Sequence, residues 1–398
     1  MEKAEHHEVV IIGGGICGLA IALALHRKGI KSLVLERYET LRATGAAMIM
    51  LPNGWRALNH LRVSDALRET AIPITAGYRV YDGGKRDKLP LGDDEIRCLK
   101  RQDLVNVLFN DLPEGTVRFG CRAVSLKIDI KSRSVIQLDD GRTISAKVVV
   151  GCDGVHSVVS DELGLSPMKV TNTSAIRGFT EYPNGHNLPP EFIIHTNDAG
   201  QFGYIPITEN SVYWFVTRIK KTQDSHIVGD KGRIMSAALD FIEGHDEKDI
   251  EMVKRTEMDM LVLTTNLILR SPFDLLTNTF RKGRVTVAGD ALHAMGPFLA
   301  QGGSLSLEDA VIFAQCVAPA IGDLSSGRLG EKGIEEALDQ FFKLRQMRAF
   351  WMMSHTYLMG IVAGTVPYKF VKLIGILLLI VLFTRDPSSH TRFDCGAL

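Results

Sequence analysis

The run Glu8-Val9-Val10-Ile11-Ile12-Gly13-Gly14-Gly15-Ile16-Cys17-Gly18 limits the possible folds more than any other stretch of this chain. Five residues, mostly β-branched, read as a short buried strand, and the glycines follow at once in G-x-G-x-x-G spacing. Leu19 to Lys28 then carries apolar residues at helical spacing and stops at Gly29. A second strand, Ser32 to Leu35, ends on Glu36. Each position has a physical role. Gly13 permits the tight turn, Gly15 lets a pyrophosphate approach the backbone, and Gly18 lets the helix pack on the sheet. Glu36 stands where an acid can hydrogen-bond an adenosine ribose. The strand before, the helix after and the acid at the right distance make this a dinucleotide site in a βαβ unit, not a bare glycine-rich turn.

A second strand-to-turn pattern returns late in the chain. Val285, Thr286, Val287 and Ala288 read as buried strand, Gly289 turns the backbone, and Asp290 stands at the strand's carboxyl end, where ligands bind in open α/β sheets. Gly302 and Gly303 then read as a helix entrance, whose free N–H groups attract anions and electron-rich ring edges. Between these stretches, Lys147 to Asp153 repeats the pattern of a buried strand ending in an acid, with Gly154 and Ser157 behind it. Arg42, beside the loop containing Gly45, either neutralises a phosphate or is simply solvated, and Arg37 follows Glu36. Cys98 to Leu104 opens an amphipathic helix that runs through Phe109, and Arg101 lies near its first turn, where a cation opposes the helix dipole, which suggests a positional role.

The chain has 398 residues, long enough for two or three domains, with 46 basic and 46 acidic side chains. This balance gives no nucleic-acid surface. Six cysteines without C-x-x-C pairing read as buried, reduced thiols, and no metal-ligand spacing occurs, since His6, His7 and His293 stand isolated from any second ligand motif; His195 and His293 read as structural rather than as a catalytic base. An acidic start that leads straight into a strand argues against a signal or transit peptide. There is no internal repeat or low-complexity linker.

Residues 76–96 read as a hairpin turning at Asp82-Gly83-Gly84, and 166–265 as mainly antiparallel strands rich in aromatics, followed by a helix over 233–243. Tyr204, Tyr213, Trp214 and Phe215 are candidate walls of an apolar pocket, with His195 nearby. Arg177, flanked by Ile176 and Phe179, either faces inward, favouring an anionic or phenolic substrate, or pairs with Glu181 at the surface.

On these motifs the chain resembles the single-component, FAD-dependent aromatic hydroxylases, most closely their plant branch related to salicylate hydroxylase and zeaxanthin epoxidase. The glycine fingerprint with Glu36, the Asp-Gly motif at Asp153, Gly154 and Ser157, and the Gly-Asp motif at Gly289, Asp290, His293, Pro297, Gln301, Gly302 and Asp309 match over most of the chain. The resemblance implies an α/β fold: a Rossmann-like FAD-binding domain from 1–75, 97–165 and 266–345, an inserted substrate-binding sheet domain from 76–96 and 166–265, and a C-terminal helical segment from 346–398. It also implies that Asp290 meets the ribityl chain, Arg101 the flavin, and the Gly302-Gly303 backbone the pyrimidine edge, while Asp309 fixes local packing. NADPH or NADH would reduce the flavin. O2 would add to form a C4a-hydroperoxide, which would hydroxylate or epoxidise a small apolar or aromatic molecule. No side chain is an obvious catalytic base. Two positions depart from the pattern: Ser160 replaces an arginine linked to nicotinamide handling, and Ala300 replaces a glycine in a loop that crowds if its φ is positive. The alternatives are a flavin-binding protein with weak or lost turnover, or an FAD oxidoreductase that inserts no oxygen. A plain NAD-dependent dehydrogenase has no use for the Gly-Asp motif, and a disulfide reductase needs a second glycine fingerprint and a cysteine pair.

Leu373 to Phe383 is an uninterrupted apolar run, shorter than the ~20 residues a spanning helix needs. Two readings follow. In the favoured one, a helix packs on the flavin domain of a cytoplasmic protein. In the other, an interfacial helix makes peripheral membrane contact, with Lys369, Lys372 and Arg385 at the headgroups.

Overall fold

The computed structural model describes residues 5–41, 47–81, 83–91, 94–130, 132–325, 332–362, 369–383 and 389–398. Arg42, Gly45 and Asp82 lie outside these residues.

The first sheet grows around β1 (Glu5–Ile12), whose last four residues are fully buried. It pairs in parallel with β2 (Leu33–Leu35) on one side and β10 (Thr143–Gly151) on the other. Continuous apolar runs such as Val148 to Val150 suit strands covered on both faces. β7 (Val117–Arg118) extends the sheet beside β2, and β19 (Val285–Val287) with β18 (Arg281–Lys282) extends it beside β10. The antiparallel pair β8 (Ala123–Lys127) and β9 (Ser134–Leu138) joins through β9 to β10. Val117 thus belongs to the parallel sheet, beside Val34. Helix α1 (Ile16–Arg27) is buried along ten of its twelve residues. It packs against α10 (Gly302–Ser325), which also meets α2 (Pro52–Leu61) and α11 (Lys332–Gly360). Among the described residues, Gly302–Gly322 is the one stretch long and apolar enough to cross a membrane, but 78% of it is buried in this core.

The second sheet has the order β16-β12-β15-β14-β13-β4-β5. Its strands are β16 (Val262–Thr264), β12 (Thr173–Glu181), β15 (Ser211–Ile219), β14 (Gly200–Pro206), β13 (Glu191–Asn197), β4 (Ala76–Tyr81) and β5 (Arg86–Lys88). All neighbours are antiparallel except β13 and β4. The β4–β5 hairpin leaves the first domain early in the chain and docks as an edge, so no tight turn dictates its direction. Its outer layer holds α6 (Lys231–Phe241) and α7 (Glu247–Lys254), which pack on each other; α7 also packs on β12. The small pair β11 (Lys169–Val170) and β17 (Ile268–Leu269) closes the junction between the sheets.

Another pair, β3 (Ala47–Met50) and β6 (Arg97–Lys100), lies near both sheets. Cys98 to Lys100 therefore form a strand, and the helix α4 (Arg101–Asn110) begins at Arg101 itself. Short helices α3 (Ser64–Arg68), α5 (Val158–Glu162), α8 (Asp274–Thr277) and α9 (Asp290–His293) complete the connections. The expected segment boundary at 345/346 falls inside α11, which carries one continuous run of backbone across it. The last helix, α12 (Lys369–Phe383), packs on α11.

Candidate active site

A cavity of about 1090 Å³ runs from the glycine loop, past β3 and the start of α10, to one face of the second sheet. Gly13, Gly15, Glu36, Arg37, Arg101, Asp153, Gly154, Asp290, Pro297, Gly302 and Gly303 all line it. Gly18 does not; it packs beneath, where an added Cβ would stand 1.9 Å from the Gly13 carbonyl oxygen. Gly13 has φ +108, and a Cβ there would meet the Cys152 carbonyl at 2.4 Å. Above Gly15 nothing lies within 4 Å of the Cβ position, leaving the approach that a pyrophosphate needs. Glu36 accepts from the N–H of Gly14 at 2.7 Å and of Tyr38 at 3.0 Å, so its carboxylate is fixed at the end of β2. The sulfurs of Cys17 and Cys152, both free thiols, sit 3.7 Å apart under the loop.

Two buried polar atoms on this wall have no partner among the described residues: Arg101 Nε and Asp153 Oδ1. Asp153 Oδ2 accepts from the N–H of Val158 at 2.8 Å. Burial pushes the Asp153 carboxyl above the usual range, against hydrogen bonds from Ser157 and the backbone. Orphaned groups of this kind are costly unless a ligand completes them. A dinucleotide with hydroxyl donors and phosphate acceptors fits both, together with the open space over Gly15.

Behind the wall lies a buried polar network that the sequence reading did not assemble. Asp309 is fully buried and accepts from the Gly289 N–H at 2.8 Å, from His293 Nε2 at 2.7 Å and from Arg345 Nε at 2.7 Å. Burial alone would raise its carboxyl, but His293, Arg345 and the Gly289 N–H outweigh burial and hold it at about 2. Arg345 also pairs with Glu308 at 2.9 Å, and Glu308 accepts from Asn53 Nδ2 at 2.7 Å. Asn53 in turn donates to Gln301 at 2.8 Å. This chain of contacts ties α2, α10 and α11 to the turn at Gly289 (φ +61), which aims Asp290 into the cavity. Gln301 and Asp309 are visible as motif residues, whereas Asn53 and Arg345 carry no local signal of this network.

The two departures have defined places. Ser160 donates to the Ala291 carbonyl at 3.1 Å, pinning α5 beneath the residue after Asp290. Ala300 lines the cavity with φ +53, so the loop before α10 does hold a side chain in the left-handed region.

The second sheet forms the floor in three cross-strand rows. Paired registers place Gly77, Phe192, Ile205, Tyr213 and Phe179 in one row, and Arg79, Ile194, Gly203, Phe215 and Arg177 in the next. Thr196, Gln201, Thr217 and Ala175 continue as a third. The cavity side is thus graded from aromatic, through a row holding two arginines, to polar. Tyr213 and Phe215 line the cavity as expected, with ring centroids 6.2 Å apart.

Tyr204, Trp214 and His195 do not line it, which corrects three of the expected pocket residues. Successive strand residues face opposite sides, so these three point into the outer layer. Trp214 Nε1 donates to Thr256 at 2.8 Å and covers Gly178. His195 lies 3.4 Å from Asp249, beside His245. These three side chains bring their ligand atoms within 4.8 Å of one another, with His245 and Asp249 four residues apart in sequence and His195 brought in from β13. Arg177 lines the cavity, and Glu181 is engaged elsewhere, with Lys100 at 3.1 Å and Ser211 at 2.8 Å. Arg79, in the same row, had not been singled out; its signal lies in the β4–β13 register and not in its own neighbours.

A glycine-loop cradle opening into an aromatic-floored chamber defines a dinucleotide-dependent oxidoreductase with one nucleotide-binding domain. A family model described as an FAD binding domain matches residues 6–331. Monooxygenase 1 of Arabidopsis thaliana is 44% identical over 396 residues, covering 98% of this chain and 99% of that protein. Monooxygenase 2 of the same plant is 34% identical over 410 residues, covering 100% of each. Among solved structures, Klebsiella pneumoniae HpxO complexed with FAD and uric acid shares the fold with TM-score 0.78 at 20% identity, over 97% of this chain and 96% of that one. The chain belongs to the FAD binding domain family and is an enzyme of the FAD-dependent monooxygenase kind.

Proposed function

We propose that this enzyme takes electrons from NADPH or NADH, uses O2, and hydroxylates or epoxidises a small aromatic or apolar molecule that carries an acidic group. The observation that supports the substrate reading is the middle row of the cavity floor. Arg79 and Arg177 stand in it roughly 19 Å apart by four strand spacings, with Ile194 and Phe215 between them, while Asp87, paired with Arg79 across β5, binds Lys85 at 3.3 Å. Neither guanidinium has a hydrogen bond or ion pair among the described residues, and Arg79 Nε is buried. A half-buried guanidinium without an anion is unfavourable, and a ligand carboxylate or phenolate offsets that cost.

Bound FAD supplies the redox chemistry, passing electrons from the nicotinamide to O2. The protein's own groups bind and orient. The glycine loop and Glu36 take the adenosine end, and Arg101, Asp153 and Asp290 take the middle of the cofactor. The start of α10, where Gly302 and Gly303 line the cavity, would hold the ring edge. Phe192, Ile205 and Tyr213 exclude water from the apolar part of the substrate. Burial pushes the Tyr213 hydroxyl up to about 12, with Arg177 pulling the other way, so it stays a hydrogen-bond donor at neutral pH. A single nucleotide-binding domain implies that the nicotinamide docks transiently in the same cavity.

The test is stimulated NADPH oxidation by the flavin-loaded enzyme across matched pairs of aromatic compounds with and without a carboxyl or phenol group. Stimulation confined to the acidic members supports the reading. Equal stimulation by the neutral partners contradicts it.

A further inference from the structure

The helix α12 packs on α11 through one narrow seam, and Lys372 also approaches Asp198 at 3.9 Å. Val371, Gly375, Leu379 and Phe383 recur every fourth residue, the spacing of one helix face. Gly375 is buried, where an added Cβ would stand 3.1 Å from Ile361. Phe383 stacks on His355 with ring centroids 4.1 Å apart and also meets Trp351. Intramolecular packing therefore accounts for the seam alone. Nine large apolar side chains from Phe370 to Leu382 remain 40–74% exposed.

We propose that this surface docks the enzyme on a lipid bilayer, with α12 lying in the interface. The exposed arc is apolar over most of the helix circumference and has no polar rim, whereas a helix made for a protein groove is apolar along one stripe. Residues 369–383 contain no acid, so nothing in the helix itself repels anionic headgroups, and Lys372, near its start, lies 3.9 Å from Asp198. At roughly 22 Å the helix is too short to span the ~30 Å hydrocarbon core.

The patch continues beyond α12. Rings connect Phe383 to Trp351, Trp351 to Phe350, and Phe350 to Phe273, which is itself exposed. Exposed Trp and Phe at such an edge match the composition of interfacial anchors. The surface also adjoins the active-site entrance: His355, Met359, His390 and Thr391, beside α12, line the cavity. Docking thus places the cavity mouth at the membrane surface, where an amphipathic, apolar substrate concentrates.

The experiment is vesicle flotation of the full-length, flavin-loaded protein with phosphatidylcholine–phosphatidylserine vesicles, in low and high salt. The comparison is Leu377→Glu/Val381→Glu, two changes on the exposed arc that leave the seam intact. The flavin spectrum reports that the variant stays folded. Wild type is expected to float with the vesicles and stay bound in high salt, with affinity at least about tenfold above that of the double variant. Four results overturn the proposal: no flotation of wild type; release by salt, which marks plain charge adsorption; equal flotation of the double variant; or a wild-type dimer that the double substitution dissociates without any lipid binding, which assigns the surface to a second copy of the chain.

Discussion

At the scale of single residues, the two arginines of the floor carry the substrate reading. Arg177→Leu removes a charge-assisted contact worth about 1.5–3 kcal/mol. KM for acidic substrates should therefore rise by roughly 10- to 150-fold, while KM for the neutral partner compounds stays within a few-fold. Arg79→Leu should act on a different part of the same substrate panel, because four strand spacings separate the two arginines; an identical effect of both changes on every compound would mean that neither reads the ligand. Ala300 makes a separate prediction. Its φ of +53 places a β-carbon in the left-handed region at a cost of about 1 kcal/mol. Ala300→Gly should raise stability slightly, by no more than about 1 kcal/mol after the added freedom of the unfolded chain is offset. Thermal unfolding of the flavin-loaded protein reads this directly, and a lowered Tm would show that the loop carries no strain. Arg177 could be singled out from its apolar neighbours, but Arg79 could not. Whether a strand residue faces the cavity depends on a register set by partners far away in sequence. The same dependence misdirected Tyr204, Trp214 and His195: aromatic content marks a strand as buried, and only the pairing decides which face looks at the ligand.

At the scale of elements, the turn from β19 into α9 is held from behind. Asp290 reaches the cavity, whereas Asp309 holds the turn that aims it. Asp290→Ala should weaken FAD binding at least about tenfold, from loss of a charge-assisted hydrogen bond, with little change in the unfolding of the apoprotein. Asp309→Asn should instead cost about 3 kcal/mol of stability, because Arg345 and His293 lose a shared buried partner. FAD titration and urea unfolding of both variants separate these outcomes; equal FAD affinity in Asp290→Ala and wild type would remove the late strand from the cofactor site. The carboxyl of Asp309 also sets a pH dependence. Its folded value of about 2 lies below the usual 3.8, so its stabilisation is complete above the usual value and is lost as pH falls through about 2. This group contributes about 2 kcal/mol. Urea titrations stepped from neutral to acid pH should show that loss in wild type and not in Asp309→Asn. The strand–loop–helix at residues 8–36 and the strand before Asp290 were legible because each is local: a short apolar run, a glycine turn and an acid within a few residues. The network of Asn53, Gln301, Glu308, Asp309 and Arg345 joins three helices, and no window of sequence contains it.

At the scale of the whole molecule, two sheets divide the work. The parallel sheet brings the carboxyl ends of β1, β10 and β19 to the cofactor path, and the second sheet floors the substrate end. The α/β class and the one-nucleotide-domain architecture could be read from the motifs and from the change in composition after Ser166. The placement of α12 could not: an all-apolar run is compatible with burial or with exposure, and only the single seam against α11 shows which surface is left over. The purified protein should be yellow, and acid precipitation should release its FAD into the supernatant, because the sequence carries no motif for covalent attachment.

The most direct measurement follows heavy-isotope O2 through turnover with an aromatic acid or phenol that stimulates NADPH oxidation. One labelled oxygen atom in the product, with flavin present and Arg177→Leu impaired on that same compound, is the predicted result. Complete recovery of the consumed O2 as hydrogen peroxide, with unlabelled and unchanged aromatic compound, would contradict the account.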